Sequence, residues 1–266
     1  MRFSFALATK HLSLTTYHHS PRSYCLAENP LLPHRKLQEL YALMLHCRTL
    51  DRALRGKTKS SAREALLAAS AIHLLPGDLV FAEAGDSVAA SLAPAPKSSA
   101  RKSSRKPTQT AEFQLPRLAA AAAAAHSLSP KSKSFVLAHT HENALEPNWK
   151  ATLRFAHDNK LPLLFLCAGI HPHPRQTAAQ KANRNAFTWE SVGRFCSRLH
   201  LPLLPVDGED AVALYRVFQE SALHARAGAA PAVIWAMFHP STVALSRSQT
   251  PVARLQAYCR TRGIKL

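Results

Sequence analysis

Four histidines stand in two pairs, His139-Thr140-His141 and His171-Pro172-His173, and each pair follows an apolar run. Residues two apart in extended backbone leave the same side of the chain, so each pair can aim two imidazoles at one point. If the two apolar runs are neighbouring strands, the four rings converge at the carboxyl ends, with Glu142 beside them. Imidazole suits zinc, iron, nickel or copper rather than magnesium. His139, His141, His171 and His173 are therefore the candidate ligands of a transition-metal site. The plainer alternative is that they are exposed, hydrogen-bonded loop histidines, since the chain carries 15 histidines. Cys167, inside the apolar run 161-LPLLFLCAGI-170, reads as core rather than as a nucleophile. His157-Asp158 falls near a predicted helix end, where complementing the helix dipole is the ordinary role.

The elements that must position these residues follow from periodicity. In 34-HRKLQELYALMLHCRTLDRALRGK-57, Leu37, Leu40, Tyr41, Met44, Leu45, Leu50 and Leu54 recur at helical spacing. A second helix over 61–75 stops at Pro76-Gly77-Asp78, and a short strand over 79–82 follows the turn. The seven alanines Ala119–Ala125 favour a helix over 114–126 that leads into a strand over 134–138. Then come a helix over 146–158, a strand over 161–167, a loop to about 186 and a helix over 187–199. A strand over 201–206, a helix over 209–227 and a strand over 231–238 complete the series. Strands alternating with helices predict an α/β fold with a doubly wound, mainly parallel sheet flanked by helices. The strands over 134–138 and 161–167 are expected to lie side by side, joined by the 146–158 helix.

With 266 residues, 47% of them apolar, the chain is long enough for one α/β domain with a sizeable core. That domain is expected over 34–266, after a partly disordered leader over 1–33. Residues 94-PAPKSSARKSSRKPTQT-110 carry five basic side chains and no acid, and read as a basic, mobile loop. Thirty-four Lys and Arg against 16 Asp and Glu give a net charge of +18, which favours acidic partners. Five cysteines without CxxC spacing argue against a disulfide framework and against a structural zinc knot, and point to a reducing compartment. No apolar run approaches the roughly 20 residues that span a bilayer, so no membrane partner is expected. The expected location is cytoplasmic. Residues 1–27 contain no acid and are rich in Ser and Thr, which makes an organellar matrix the alternative if they form a transit peptide.

Several blocks carry a family resemblance. Residues 201-LPLLPVDGEDAVALYRVFQESALHARAGAAPAVIWAMF-238 resemble, without gaps, the VDGxD…ALARAGxGPxLIE segment of the thiamine diphosphate-dependent alpha subunit of 2-oxo acid dehydrogenases, the pyruvate and branched-chain type. Residues 37–54 and 63-REALLAASAIHLLPGDLVF-81 resemble its N-terminal helix and its GxEA…AL.PGDxVF unit, and 250-TPVARLQAYCRTRGI-264 resembles its closing helix. The resemblance covers most of 34–264 in the same order. It implies the thiamine diphosphate-binding fold, oxidative decarboxylation of a 2-oxo acid, thiamine diphosphate and magnesium as cofactors, a beta-type dehydrogenase subunit as partner, and self-association.

The resemblance also implies where cofactor ligands should stand, and there the chain departs from the family. Aligning 151-ATLRFAHDNKLPLLFL-166 puts Thr140-His141-Glu142 at the family's magnesium-binding Gly-Asp-Gly, and Gly169-Ile170-His171-Pro172 at its Asn-Asn-Gly-Tyr. Its phosphate-contacting Tyr-Arg-Asp-His falls on Ala84-Gly85-Asp86-Ser87, so that Asp86 alone survives. Asp86, His141 and Glu142 are thus the remaining candidate cofactor-binding positions. Magnesium wants oxygen ligands, and the metal carboxylate, the amide and the phosphate clamp are all replaced. The expectation is a catalytically impaired pseudo-subunit that binds thiamine diphosphate weakly or not at all. Two alternatives stand beside it. One is a histidine-site metalloprotein on the same fold; the other is a basic nucleic-acid-binding protein, resting on the charge and on residues 97–106, which lack aromatic interleaving.

Overall fold

The computed structural model describes residues 32–55, 63–81, 133–142, 148–170, 187–228, 231–239 and 249–266. Among them the strands β1 (Leu79–Phe81), β2 (Val136–His141), β3 (Leu163–Ile170), β4 (Leu203–Asp207) and β5 (Ala232–Phe238) form one sheet in the order β1-β2-β3-β5-β4. Every pairing is parallel. The helices are α1 (His34–Arg55), α2 (Glu64–Ala71), α3 (Trp149–Asp158), α4 (Trp189–Leu199), α5 (Ala211–Arg226) and α6 (Pro251–Thr261). The architecture is α/β, a parallel sheet with flanking helices, and β2 lies beside β3, as the apolar runs predict; in the register found, Val136 is opposite Leu163. Asp86, the 94–110 loop, the 114–126 helix and all but the last two residues of the 1–33 leader lie outside the described residues. Leu32, one of those last two, is buried in the core.

Alternation along each strand sends successive side chains to opposite layers, which is why these strands read as unbroken apolar runs. Val136, Ala138, Phe165, Cys167, Val233 and Trp235 pack with Trp149 and Leu153 of α3 and with Val192 and Phe195 of α4. Leu137, Leu164, Leu166, Val206, Ile234 and Ala236 pack with α1, α2, α5 and α6 on the other side. Trp149, Trp235, Phe165 and Phe218 are the largest fully buried side chains. Each contributes roughly 1.5–3 kcal/mol or more of apolar burial.

Local chemistry starts the helices where the sequence allows it. Thr188 and Ser191 form a capping box at α4, and Asp210 accepts from the amides of Val212 and Ala213 at α5. Thr250 caps α6, with Pro251 in the first helical position.

The Pro76-Gly77-Asp78 turn does more than end α2. Gly77 adopts φ 108°, a conformation a side chain resists. Asp78 Oδ2 accepts from the Leu75 amide at 2.7 Å, and Oδ1 accepts from the Phe135 amide at 3.0 Å. The same carboxylate pairs with Arg226, whose guanidinium also donates to the His73 carbonyl at 3.0 Å and sits 4.5 Å from the Phe135 ring centre. One buried acid thus ties the turn, the start of β2 and the end of α5 together.

Candidate functional site

Doubly wound sheets bind ligands beyond the carboxyl ends of the strands, where neighbouring strands lead away to opposite layers. Here those neighbours are β3 and β5, since β3 is followed by α4 in one layer and β5 by α6 in the other. β2 lies on the other side of β3.

β2 does not stop at residue 138. Its ladder with β3 continues through His139 opposite Leu166 and His141 opposite Ala168, so the first histidine pair lies within the strand. The polar His-Thr-His triplet resembles a loop in composition, but parallel pairing with an eight-residue β3 carries it on as strand. His139 is 3% exposed and Thr140 5%, while His141 is exposed. The two rings therefore stand at different depths, one in the core and one at the rim. His171 and His173 lie outside the described residues, as does Asp86. Among the described residues, no group of three or more His, Cys, Asp or Glu side chains is placed to hold a metal ion.

Glu142 follows β2 and closes its end against β3. Its amide donates to the Ala168 carbonyl at 2.9 Å, and its Oε2 accepts from the Ile170 amide at 3.0 Å. Next to that bond, the Trp235 indole covers Gly169. A Cβ placed on Gly169 would stand 2.2 Å from Trp235 Nε1 and 2.7 Å from Cε2. Trp235 itself is opposite Cys167 and is held by Phe187 and Trp189, with ring centroids 5.7 and 5.6 Å away. The absence of a side chain at Gly169 is what lets the indole approach the end of β3 this closely.

A second contact of the same kind lies at β4, where Gly208 accommodates the Phe238 ring and a Cβ would meet it at 2.7 Å. Around it stands a charged cluster that the sequence reading passed over. Arg254 donates to Asp207 Oδ2 at 2.8 Å and lies 3.5 Å from Glu209, which in turn lies 3.6 Å from His239. Burial alone would raise the Asp207 carboxyl, but the Arg254 hydrogen bond and charge and the Glu209 amide hold it below the usual carboxylate range. The cluster fastens α6 to the carboxyl end of β4. Its signal in the sequence was a pair of carboxylates, Asp207 and Glu209, directly after an apolar strand.

Among the described residues, burial disfavours the reactive thiolate form of the cysteines. Burial pushes the Cys47 thiol up to about 12, with the Glu64 charge adding to it, and pushes Cys196 up to about 11. Cys167 is fully buried, in keeping with a core role. His157 and Asp158 pair at 3.2 Å at the end of α3. No helix among the described residues is long and apolar enough to cross a membrane. No protein-family model matches the chain, and no curated protein sequence matches it either.

Proposed function

We propose that this chain is a non-catalytic relative of the 2-oxo acid dehydrogenase alpha subunit, with the thiamine diphosphate-binding fold of that family, and that it serves as a structural partner of a beta-type chain. The parallel sheet with helices on both faces is compatible with that fold. The observation that carries the reading is the closure of the carboxyl ends of β2 and β3 by the protein's own groups. At the positions aligned with the magnesium ligands, His141 offers nitrogen and Ile170 an aliphatic side chain, and the neighbouring Glu142 is spent on the Ile170 amide. An asparagine at 169 would run into Trp235.

Magnesium requires near-octahedral oxygen coordination and binds a diphosphate through oxygen ligands supplied by the protein. The residues present do not fit that group. What would remain of the family's role is assembly. The outward positions of α1 include Ala42, Leu45, His46 and Thr49, an uncharged stripe in which Leu45 is 39% exposed. Such a stripe suits a packed helix better than a solvated one. Cys47, Cys196 and Cys259, buried thiols outside any disulfide, suit a reducing compartment, cytoplasmic or an organellar matrix.

The test is solution mass by light scattering, alone and with a beta-type subunit from the same source. The reading predicts a species larger than the 29.1 kDa monomer that survives high salt, because exposed ionic contacts are screened beyond a Debye length of about 10 Å at 0.1 M. A monomer under both conditions contradicts it.

A further inference from the structure

Three arginines meet over the seam between α3 and α4. Each helix leads back from the end of one parallel strand to the start of another, so the two run side by side in the same direction. Trp149 and Phe195 join them, edge to face at 5.2 Å. Arg154 reaches across from α3, with its guanidinium 5.8 Å from the Phe195 ring centre. On α4, Arg198 follows Phe195 by three residues and stands about 60° around the helix from it, with Arg194 one turn before Arg198 on the same flank. The other flank of α4 is turned to the far edge of the sheet, since a Cβ on Gly193 would lie 3.8 Å from the Leu203 side chain of β4. The flank with Arg194 and Arg198 therefore faces α3, from which Arg154 comes to meet it. All three arginines are exposed, and none enters an ion pair among the described residues. In the opposite layer Arg48, Arg226 and Arg254 are each matched by a carboxylate, from Glu64, Asp78 and Asp207.

We infer that this seam binds a short phosphate chain, an oligophosphate held by Arg154, Arg194 and Arg198. The occupant must be compact. Four residues of helix rise about 6 Å, and packed helix axes stand about 8–10 Å apart, so the three guanidinium groups share a patch roughly 10 Å across. Beyond that patch each end of the seam carries an acid, Glu190 in the first turn of α4 and Asp158 in the last turn of α3. A nucleic-acid strand or an extended acidic peptide laid along the seam would pass these carboxylates; a short chain centred on Phe195 does not reach them. Phe195 is 8% exposed and gives a partner no apolar anchor, so recognition rests on charge and hydrogen bonds. Guanidinium groups supply both, through a planar fork that matches phosphate oxygens. The net charge of +18 adds long-range attraction for such an anion. This site is separate from the carboxyl ends of the strands, and it does not depend on the assembly role proposed above.

The experiment is isothermal calorimetry of the full chain with inorganic tripolyphosphate in low salt. Magnesium is withheld because it cancels the charge of the chain; magnesium thiamine diphosphate, neutralised in that way and by its thiazolium, is not a ligand for the seam. The wild-type chain should give a saturable isotherm. Arg154→Gln and Arg198→Gln should each weaken binding about tenfold, the loss of one charge-assisted hydrogen bond. Arg198→Lys should recover only part of that, since an ammonium keeps the charge without the fork. Arg216→Gln makes the same charge change at an exposed position of α5 in the opposite layer and should keep the wild-type affinity. All substituted positions are exposed, and circular dichroism confirms the fold of each variant. Failure of the wild-type chain to saturate overturns the inference. So does an equal loss in Arg216→Gln, which would assign binding to the overall charge. A twelve-base-pair DNA duplex or a polyglutamate that binds more tightly than tripolyphosphate, and loses affinity in Arg154→Gln and Arg198→Gln, overturns it in favour of that longer partner.

Discussion

The Trp235 indole lies directly on Gly169, so that a Cβ at position 169 would stand 2.2 Å from Trp235 Nε1. This contact seals the end of β3 and is held from behind by Phe187 and Trp189. Gly169→Ala therefore has no room without moving a fully buried ring, and should destabilise the fold by about 1–3 kcal/mol. Trp235→Ala should cost about 3–5 kcal/mol through the cavity it leaves. In a Trp235→Leu background, Gly169→Ala should cost much less than in the wild type, because contacting residues are not additive. Urea midpoints of the set check this; equal costs in both backgrounds would mean that the ring is not the obstacle.

Asp78 and Arg226 form a second long-range tie. Removing the carboxylate in Asp78→Ala strands a mostly buried guanidinium and leaves the Leu75 and Phe135 amides without their acceptor. The expected loss is about 3–5 kcal/mol. Equilibrium unfolding in urea measures it, and a loss below about 1 kcal/mol would reduce the pair to an ordinary surface bridge.

The same two ties show what the sequence could and could not carry. Apolar runs and helical spacing placed the described strands and the first five described helices within a few residues, and they placed β2 beside β3, because these signals are local and β2, β3 and β5 are largely buried on both faces. The apolar run predicts a strand ending at residue 138, since histidine and threonine have loop-like composition, whereas pairing with β3 extends it to His141. Nothing local marks β5 as lying between β3 and β4. Gly169 alone is an unremarkable glycine; its meaning comes from Trp235, 66 positions on in the chain. Likewise Pro76-Gly77-Asp78 is legible as a turn, but Arg226, which gives Asp78 its charge partner, is not. At the candidate site, the alignment put His141 and Ile170 where the family's metal ligands stand, with Glu142 beside His141. That the Glu142 carboxylate is occupied by the Ile170 amide needed the geometry.

Acid should weaken the fold in a defined window. His73 is lowered to about 4 by burial, against the opposing effect of its hydrogen bond to the Tyr215 carbonyl at 3.1 Å, where Nε2 must be the donor. Above its unfolded value near 6.5 the ring is neutral in both states, and its burial carries no protonation penalty. Between about 6.5 and 4 the unfolded chain takes up a proton that the folded chain refuses, so stability falls as pH falls, by up to about 3 kcal/mol. Asp207, whose carboxyl is held low, adds a further loss below the ordinary carboxylate range. Thermal unfolding from pH 8 to pH 4 checks the sign, and His73→Phe should flatten the slope between 6.5 and 4. An unchanged slope in that variant would assign the acid sensitivity to other groups.

The carboxyl ends of β2 and β3 are expected not to hold a magnesium diphosphate. Isothermal calorimetry of the full chain with thiamine diphosphate and magnesium in excess tests it most directly. No saturable heat is expected, because Glu142 is bonded to the Ile170 amide and Trp235 covers Gly169. A saturable isotherm with a dissociation constant in the micromolar range, lost when magnesium is withheld, would contradict it.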